Sequence, residues 1–187
     1  MALVVFTGGA RSGKSAAATE LARLRSLDGS RVVVAVFGDP TGDEEMAARI
    51  ARHQTDRPEG FDVVEAADGV SWLEDVPDDD LLLVDCLGTL VSRLMAEAGP
   101  DAPTEAVEAR VSQVVSLLMR RAGDTIVVTN EVGDGVVPAY PSGRAFRDIL
   151  GRANQTLAGA SDAAYLVVAG RLIDLAALPM AARWPTD

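Results

Sequence analysis

The residues best equipped for chemistry in this chain are Gly8-Gly9-Ala10-Arg11-Ser12-Gly13-Lys14-Ser15, which have the spacing G-x-x-x-x-G-K-[ST]. They directly follow a short apolar run, Ala2–Thr7. A loop of this kind lets main-chain amides converge on phosphate, and the helix after it adds its N-terminal amides. Lys14 would neutralise phosphate charge, and the Ser15 hydroxyl suits Mg²⁺. Lys14 is the only lysine; every other basic residue of the 17 is arginine. A slim ammonium reaches between terminal phosphates where a planar guanidinium does not fit in the same way. The acid such a loop needs is supplied by Leu81-Leu82-Leu83-Val84-Asp85, four apolar residues and then a carboxylate at a strand end, so Ser15 and Asp85 are the expected metal-holding pair.

His53 is the only histidine. In a helical reading of Asp43–Thr55, Glu45, Arg49 and His53 fall four residues apart and share one face. By spacing alone two readings stay open. One is an exposed or capping side chain. The other is an imidazole nucleophile, mostly neutral at cytosolic pH with an ordinary pKa of about 6.5, attacking phosphorus while Arg57 stabilises the departing phosphates.

The elements that must position these groups alternate. Apolar runs at Ala2–Thr7, Arg31–Phe37, Phe61–Ala66, Leu81–Leu87, Thr125–Thr129 and Ala163–Ala169 predict strands, with Arg171–Leu175 as an added edge strand. Runs such as Val32-Val33-Val34-Ala35-Val36 lack polar alternation, as strands buried on both faces do. Helical patterns fall at Gly13–Leu27, Asp43–Thr55, Thr89–Glu97, Thr104–Arg121 and Ser142–Gly159. This order predicts a single α/β domain over residues 1–175, a mostly parallel sheet with helices on both faces, followed by a tail at 176–187. Thr129–Pro138 is a glycine-rich segment at the strand edge where open α/β sheets bind ligands, although two glycines before a proline are also ordinary turn chemistry. The charge run Pro77-Asp78-Asp79-Asp80 reads as a solvated turn, and the three arginines at 144, 147 and 152 as a solvated helix face.

Bulk properties exclude several classes. A formal charge of −11 argues against nucleic acid, whose binding needs a basic surface. No apolar run approaches the ~18 residues of a membrane helix, and the chain reads as soluble and cytoplasmic. The single cysteine, Cys86, lies in an apolar run and reads as a small buried hydrophobe.

Taken together, the segments closely resemble the bifunctional adenosylcobinamide kinase / adenosylcobinamide-phosphate guanylyltransferase family of cobalamin biosynthesis. The resemblance rests on Thr7–Ser15, on Asp43–Ile50 with His53 and Arg57-Pro58, and on Thr129–Gly133 with Val137-Pro138. Phe146-Arg147-Asp148, Gly151-Arg152 and Asn154-Gln155 extend it. It implies a RecA-like phosphate-loop fold and two reactions. The terminal phosphoryl of ATP or GTP passes to adenosylcobinamide; GTP then guanylylates a histidine, matched here by His53, and GMP moves to the corrinoid phosphate. The resemblance also places nucleotide contacts on Gly8 to Ser15, on Phe37, Gly38 and Asp39, on Gln54, Thr55, Asp56 and Arg57, on Glu65 and on Asp85. It implies Mg²⁺ as cofactor and assembly as a trimer. Phe61 stands where the family usually has tryptophan, and Asp85 where some members have glutamate. Two rivals use the same loop: a plain small-molecule kinase in which His53 is inert, and a GTP-binding switch. The switch is disfavoured because an Asn-Lys-x-Asp guanine-reading motif needs a second lysine.

Overall fold

The structure, a computed structural model, describes residues 1–38, 58–65 and 70–180. Within them seven strands form one sheet: β1 (Leu3–Thr7), β2 (Val32–Val36), β3 (Asp62–Glu65), β4 (Leu81–Asp85), β5 (Thr125–Val128), β6 (Ala163–Val168) and β7 (Arg171–Asp174). Their order is β3-β2-β4-β5-β1-β6-β7. All neighbours are parallel except β7, which pairs antiparallel to β6. Four α-helices accompany them: α1 (Lys14–Leu27), α2 (Leu87–Ala98), α3 (Thr104–Arg120) and α4 (Pro141–Ala160). The helix expected at Asp43–Thr55 lies outside the described residues.

Each central strand divides its side chains between two cores, because successive residues point to opposite faces. Leu3 and Val5 of β1, Val33 and Ala35 of β2, Leu82 and Val84 of β4, and Val127 of β5 pack on the side of α2, α3 and α4. Phe6, Val32, Val34, Leu81, Leu83, Ile126 and Val128 pack on the side of α1. Helix α1 lies close to the sheet because Lys14, Ala18 and Ala22, four residues apart, are its buried stripe, and the two alanines add almost no bulk. The expected stripe of Val107, Val111, Val114, Val115 and Leu118 is the buried face of α3.

Two expectations are corrected. The run Leu81–Leu87 is not strand throughout: β4 stops at Asp85 and α2 begins at Leu87. Nor is the Pro77–Asp80 turn wholly solvated. Asp80 is buried, its carboxylate takes a hydrogen bond from Arg31 at 3.3 Å, and its carbonyl accepts one from the Arg121 guanidinium at 2.8 Å. Arg121 also donates to the carbonyls of Pro77 and Asp124, so one buried cation ties together the turns entering β4 and β5.

Asp124 joins further elements at the amino-terminal edge of the sheet. Its carboxylate accepts hydrogen bonds from Arg25 at 2.7 Å and from the Ala2 amide at 2.8 Å. The Arg25 hydrogen bond, with help from the Ala2 amide, holds its pKa below the usual aspartate value. A lowered folded-state pKa means the stabilisation is complete above the unfolded value and is lost as pH falls through the folded one. Asp124→Ala is expected to cost about 1–3 kcal/mol at pH 7, and the gap to wild type to shrink below about pH 4. Denaturant titrations of both proteins at pH 7 and pH 3 measure this.

Candidate functional site

The phosphate loop connects β1 to α1 at the carboxyl edge of the sheet. Gly8 and Gly13 have φ of 154° and 100°, backbone conformations that side chains resist. A Cβ on Gly8 would also lie 2.5 Å from the Val167 carbonyl oxygen and 2.8 Å from Ser12 Oγ. The loop is held from two sides. The Gly170 amide, in the β6–β7 turn, donates to the Ser12 carbonyl at 2.8 Å, and the Glu131 amide, after β5, donates to the Gly8 carbonyl at 3.0 Å. Gly9, Ala10 and Arg11 are exposed at the crown. Lys14 is only 6 % exposed, and its ammonium donates to the Gly9 carbonyl at 3.1 Å.

Alternation along β4 accounts for the next contact. Leu81 and Leu83 face α1, so Asp85, two residues further, emerges on that same side. Ser15, in the first turn of α1, donates its hydroxyl to Asp85 Oδ1 at 3.2 Å. The two residues named from the sequence as a metal-holding pair are thus in direct contact. Two hard oxygen donors fit Mg²⁺, which is commonly held by one or two protein oxygens with substrate phosphates and water completing its octahedron. No group of three or more His, Cys, Asp or Glu able to hold a metal occurs among the described residues.

The segment after β5 lies between these two strands, because β5 pairs with β1 on one side and with β4 on the other. Thr129 points to the α4 face and is fully buried, its hydroxyl donating to Asn154 Oδ1 at 2.6 Å. The Asn154 amide in turn donates to the Asn130 carbonyl at 2.9 Å. Cys86 is buried, as expected, with its thiol 3.4 Å from Asn130 Oδ1 and 3.2 Å from Thr89 Oγ1. Glu131 Oε1 accepts from the Gly133 amide at 2.6 Å. With Thr7, Asn154 and Gln155, Glu131 lines a cavity of about 250 Å³ between β1, β6 and α4. Arg144 is not merely solvated: its guanidinium donates to the carbonyls of Pro138 and Ala139, both at 2.9 Å. The site list drawn from the sequence did not include Glu131 or Asn154. The available signal was a polar triplet, Thr129-Asn130-Glu131, leaving a buried strand.

The remaining expected contacts are spread along the same edge. Gly38 follows β2 and Glu65 ends β3, three and four strands from β1, or roughly 14 and 19 Å at about 4.8 Å per strand. Glu65 is exposed. The Phe37 side chain turns away from this edge into the core, 1 % exposed and edge-on to Trp72 with centroids 5.2 Å apart. A nucleotide therefore meets at most its main chain. Asp39, His53, Gln54, Thr55, Asp56 and Arg57 lie outside the described residues.

Residues 4–175 match the family model described as "Cobinamide kinase / cobinamide phosphate guanyltransferase". The chain belongs to this family. The phosphate loop, Asp85 and the segment after β5 all fall inside the matched span. Among curated relatives, the bifunctional adenosylcobalamin biosynthesis protein CobU of Escherichia coli is 36 % identical over 179 residues, covering 90 % of this chain and 96 % of that protein. CobU of Salmonella typhimurium is 35 % identical with the same coverage. CobP of Pseudomonas aeruginosa is 31 % identical over 178 residues, 94 % of this chain and 98 % of that protein. Among solved structures, a KaiC-like protein of Pyrococcus horikoshii and the ATPase domain of G40P each give a TM-score of 0.50 at 13 % identity. They cover 88 % of this chain and 70 % and 68 % of their own. That likeness concerns fold alone, and it is the RecA-like phosphate-loop fold.

Proposed function

We propose that this chain carries out both reactions of its family: it phosphorylates cobinamide, in its adenosyl form, and then converts the phosphate to the GDP derivative. The observation that carries the reading is the Ser15–Asp85 contact beside a correctly strained phosphate loop, in a chain matched to the family over residues 4–175. In the kinase half, the amides of the loop and the Lys14 ammonium hold the β- and γ-phosphates in line with the acceptor hydroxyl. The acceptor oxygen bonds to the γ-phosphorus, the bridging oxygen–phosphorus bond breaks, and the nucleoside diphosphate leaves. Mg²⁺, held by Ser15, Asp85 and phosphate oxygens, would supply charge neutralisation on the transferring group.

In the second half His53 is the covalent carrier. An imidazole nitrogen bonds to the α-phosphorus of GTP and pyrophosphate departs, with Arg57 balancing its charge. A phosphate oxygen of cobinamide phosphate then attacks the same phosphorus, the N–P bond breaks, and His53 is regenerated. Further nucleotide contacts are assigned to Gly38, Asp39, Gln54, Thr55, Asp56, Glu65 and the Phe37 main chain. The working assembly is a trimer in the cytoplasm; among the described residues no helix is long and apolar enough to cross a membrane.

Incubation with γ-labelled and α-labelled GTP, with and without cobinamide, tests this. The γ-label is expected on the corrinoid, and the α-label first on protein as an acid-labile, base-stable adduct and then on the corrinoid. Transfer of the γ-label with no protein adduct would leave a plain kinase.

A further inference from the structure

We infer that the Glu131 carboxylate is the general base of the kinase half-reaction, taking the proton from the acceptor hydroxyl as the γ-phosphoryl is transferred; this rests on the proposed function above. Glu131 leaves β5 between the strand that carries the phosphate loop and the strand that ends in Asp85, and its main-chain amide is bonded to the Gly8 carbonyl. A carboxylate fixed beside an anion-binding loop repels the ligand the loop is built to hold, at a distance where such repulsion is costly in a partly desolvated site.

The usual reasons for such a charge are missing. Glu131 makes no ion pair among the described residues. Its one side-chain hydrogen bond among the described residues, from the Gly133 amide to Oε1 at 2.6 Å, needs an acceptor oxygen and no charge; glutamine supplies the same. Oε2 has no hydrogen-bond partner among the described residues. Gly133 itself leaves room for the carboxylate, since a Cβ there would stand 2.9 Å from Oε1.

Three further features suit a proton acceptor. The carboxylate is half-buried, and the cavity of about 250 Å³ that it lines gives space beside it for a small hydroxyl-bearing arm. Its backbone is fixed where it leaves β5, by the bond from its own amide to the Gly8 carbonyl and by the Thr129–Asn154–Asn130 chain of hydrogen bonds. A base so positioned acts without first paying ordering entropy. The step balances: the hydroxyl proton moves to Glu131, the oxygen bonds to the γ-phosphorus, and the diphosphate leaves with the electron pair of the broken bond.

Glu131→Gln keeps the bond to Gly133 and removes only the base. With the full chain, γ-labelled GTP and cobinamide, its phosphoryl-transfer rate is expected to fall by at least about 100-fold. Nucleotide affinity and self-labelling from α-labelled GTP are expected to change by less than about threefold. Exogenous formate should partly restore transfer in Glu131→Ala, a recovery that a scaffold role does not give, and Glu131→Asp should exceed Glu131→Gln. Glu131→Gln retaining more than about a tenth of the wild-type transfer rate overturns the assignment, as does equal loss of transfer and nucleotide binding. Failure of the unsubstituted chain to phosphorylate cobinamide is a separate result and overturns the function on which the assignment rests.

Discussion

Replacing His53 with alanine abolishes covalent incorporation of GMP from α-labelled GTP, while affinity for the nucleotide changes by less than about threefold. The expectation is large because the chain has no second imidazole to substitute: His53 is its only histidine. Its other strong nucleophile class, thiol, is represented only by Cys86, which is buried against Thr89 and Asn130. Phosphoryl transfer to cobinamide should persist in the variant, because that half-reaction uses the loop, Lys14 and the Ser15–Asp85 pair and needs no covalent carrier. His53→Asn, closer in shape, should behave as the alanine variant does. Undiminished labelling in either variant would remove His53 from the mechanism.

The strands were readable in advance for a simple reason. Residues such as Val32–Val36 and Leu81–Val84 are buried on both faces of a parallel sheet, so their apolar character is continuous and their ends are marked by turns. The phosphate loop was readable because Gly8 and Gly13 are demanded by local backbone geometry and the lysine by phosphate charge. What stayed hidden depends on contacts distant in sequence. Asp80 is buried because Arg121, 41 residues away, reaches its carbonyl, and nothing near Asp80 announces that. Thr129 and Asn130 are fixed by Asn154 across 25 and 24 residues. The end of β4 escaped notice because Cys86 and Leu87 are as buried in a helix start as they would be in a strand. Phe37 sits at the ligand edge by position, yet Trp72 draws its ring inward, which position along the chain does not reveal.

Lys14→Ala is expected to slow both half-reactions by at least about 100-fold, and to leave the free protein as stable as wild type or more so. The two effects share one cause. Lys14 is the first residue of α1, where the helix presents partial positive charge and a lysine is unfavourable. The residue is also buried, and its ammonium donates to the Gly9 carbonyl. Alanine is the strongest helix former and takes a cation away from the positive helix end, so folding loses little. Catalysis loses the cation that faces charge developing on the transferring phosphates, an interaction worth most in a dry, preorganised site. Lys14→Arg separates charge from shape. Only a slim ammonium suits so confined a position, so arginine should fail nearly as badly as alanine while costing more stability through overpacking against the loop. Thermal unfolding of the three proteins without nucleotide, alongside rates for γ- and α-label transfer, measures both sides. A Lys14→Ala enzyme with normal rates in one half-reaction would show that the two reactions do not share this loop.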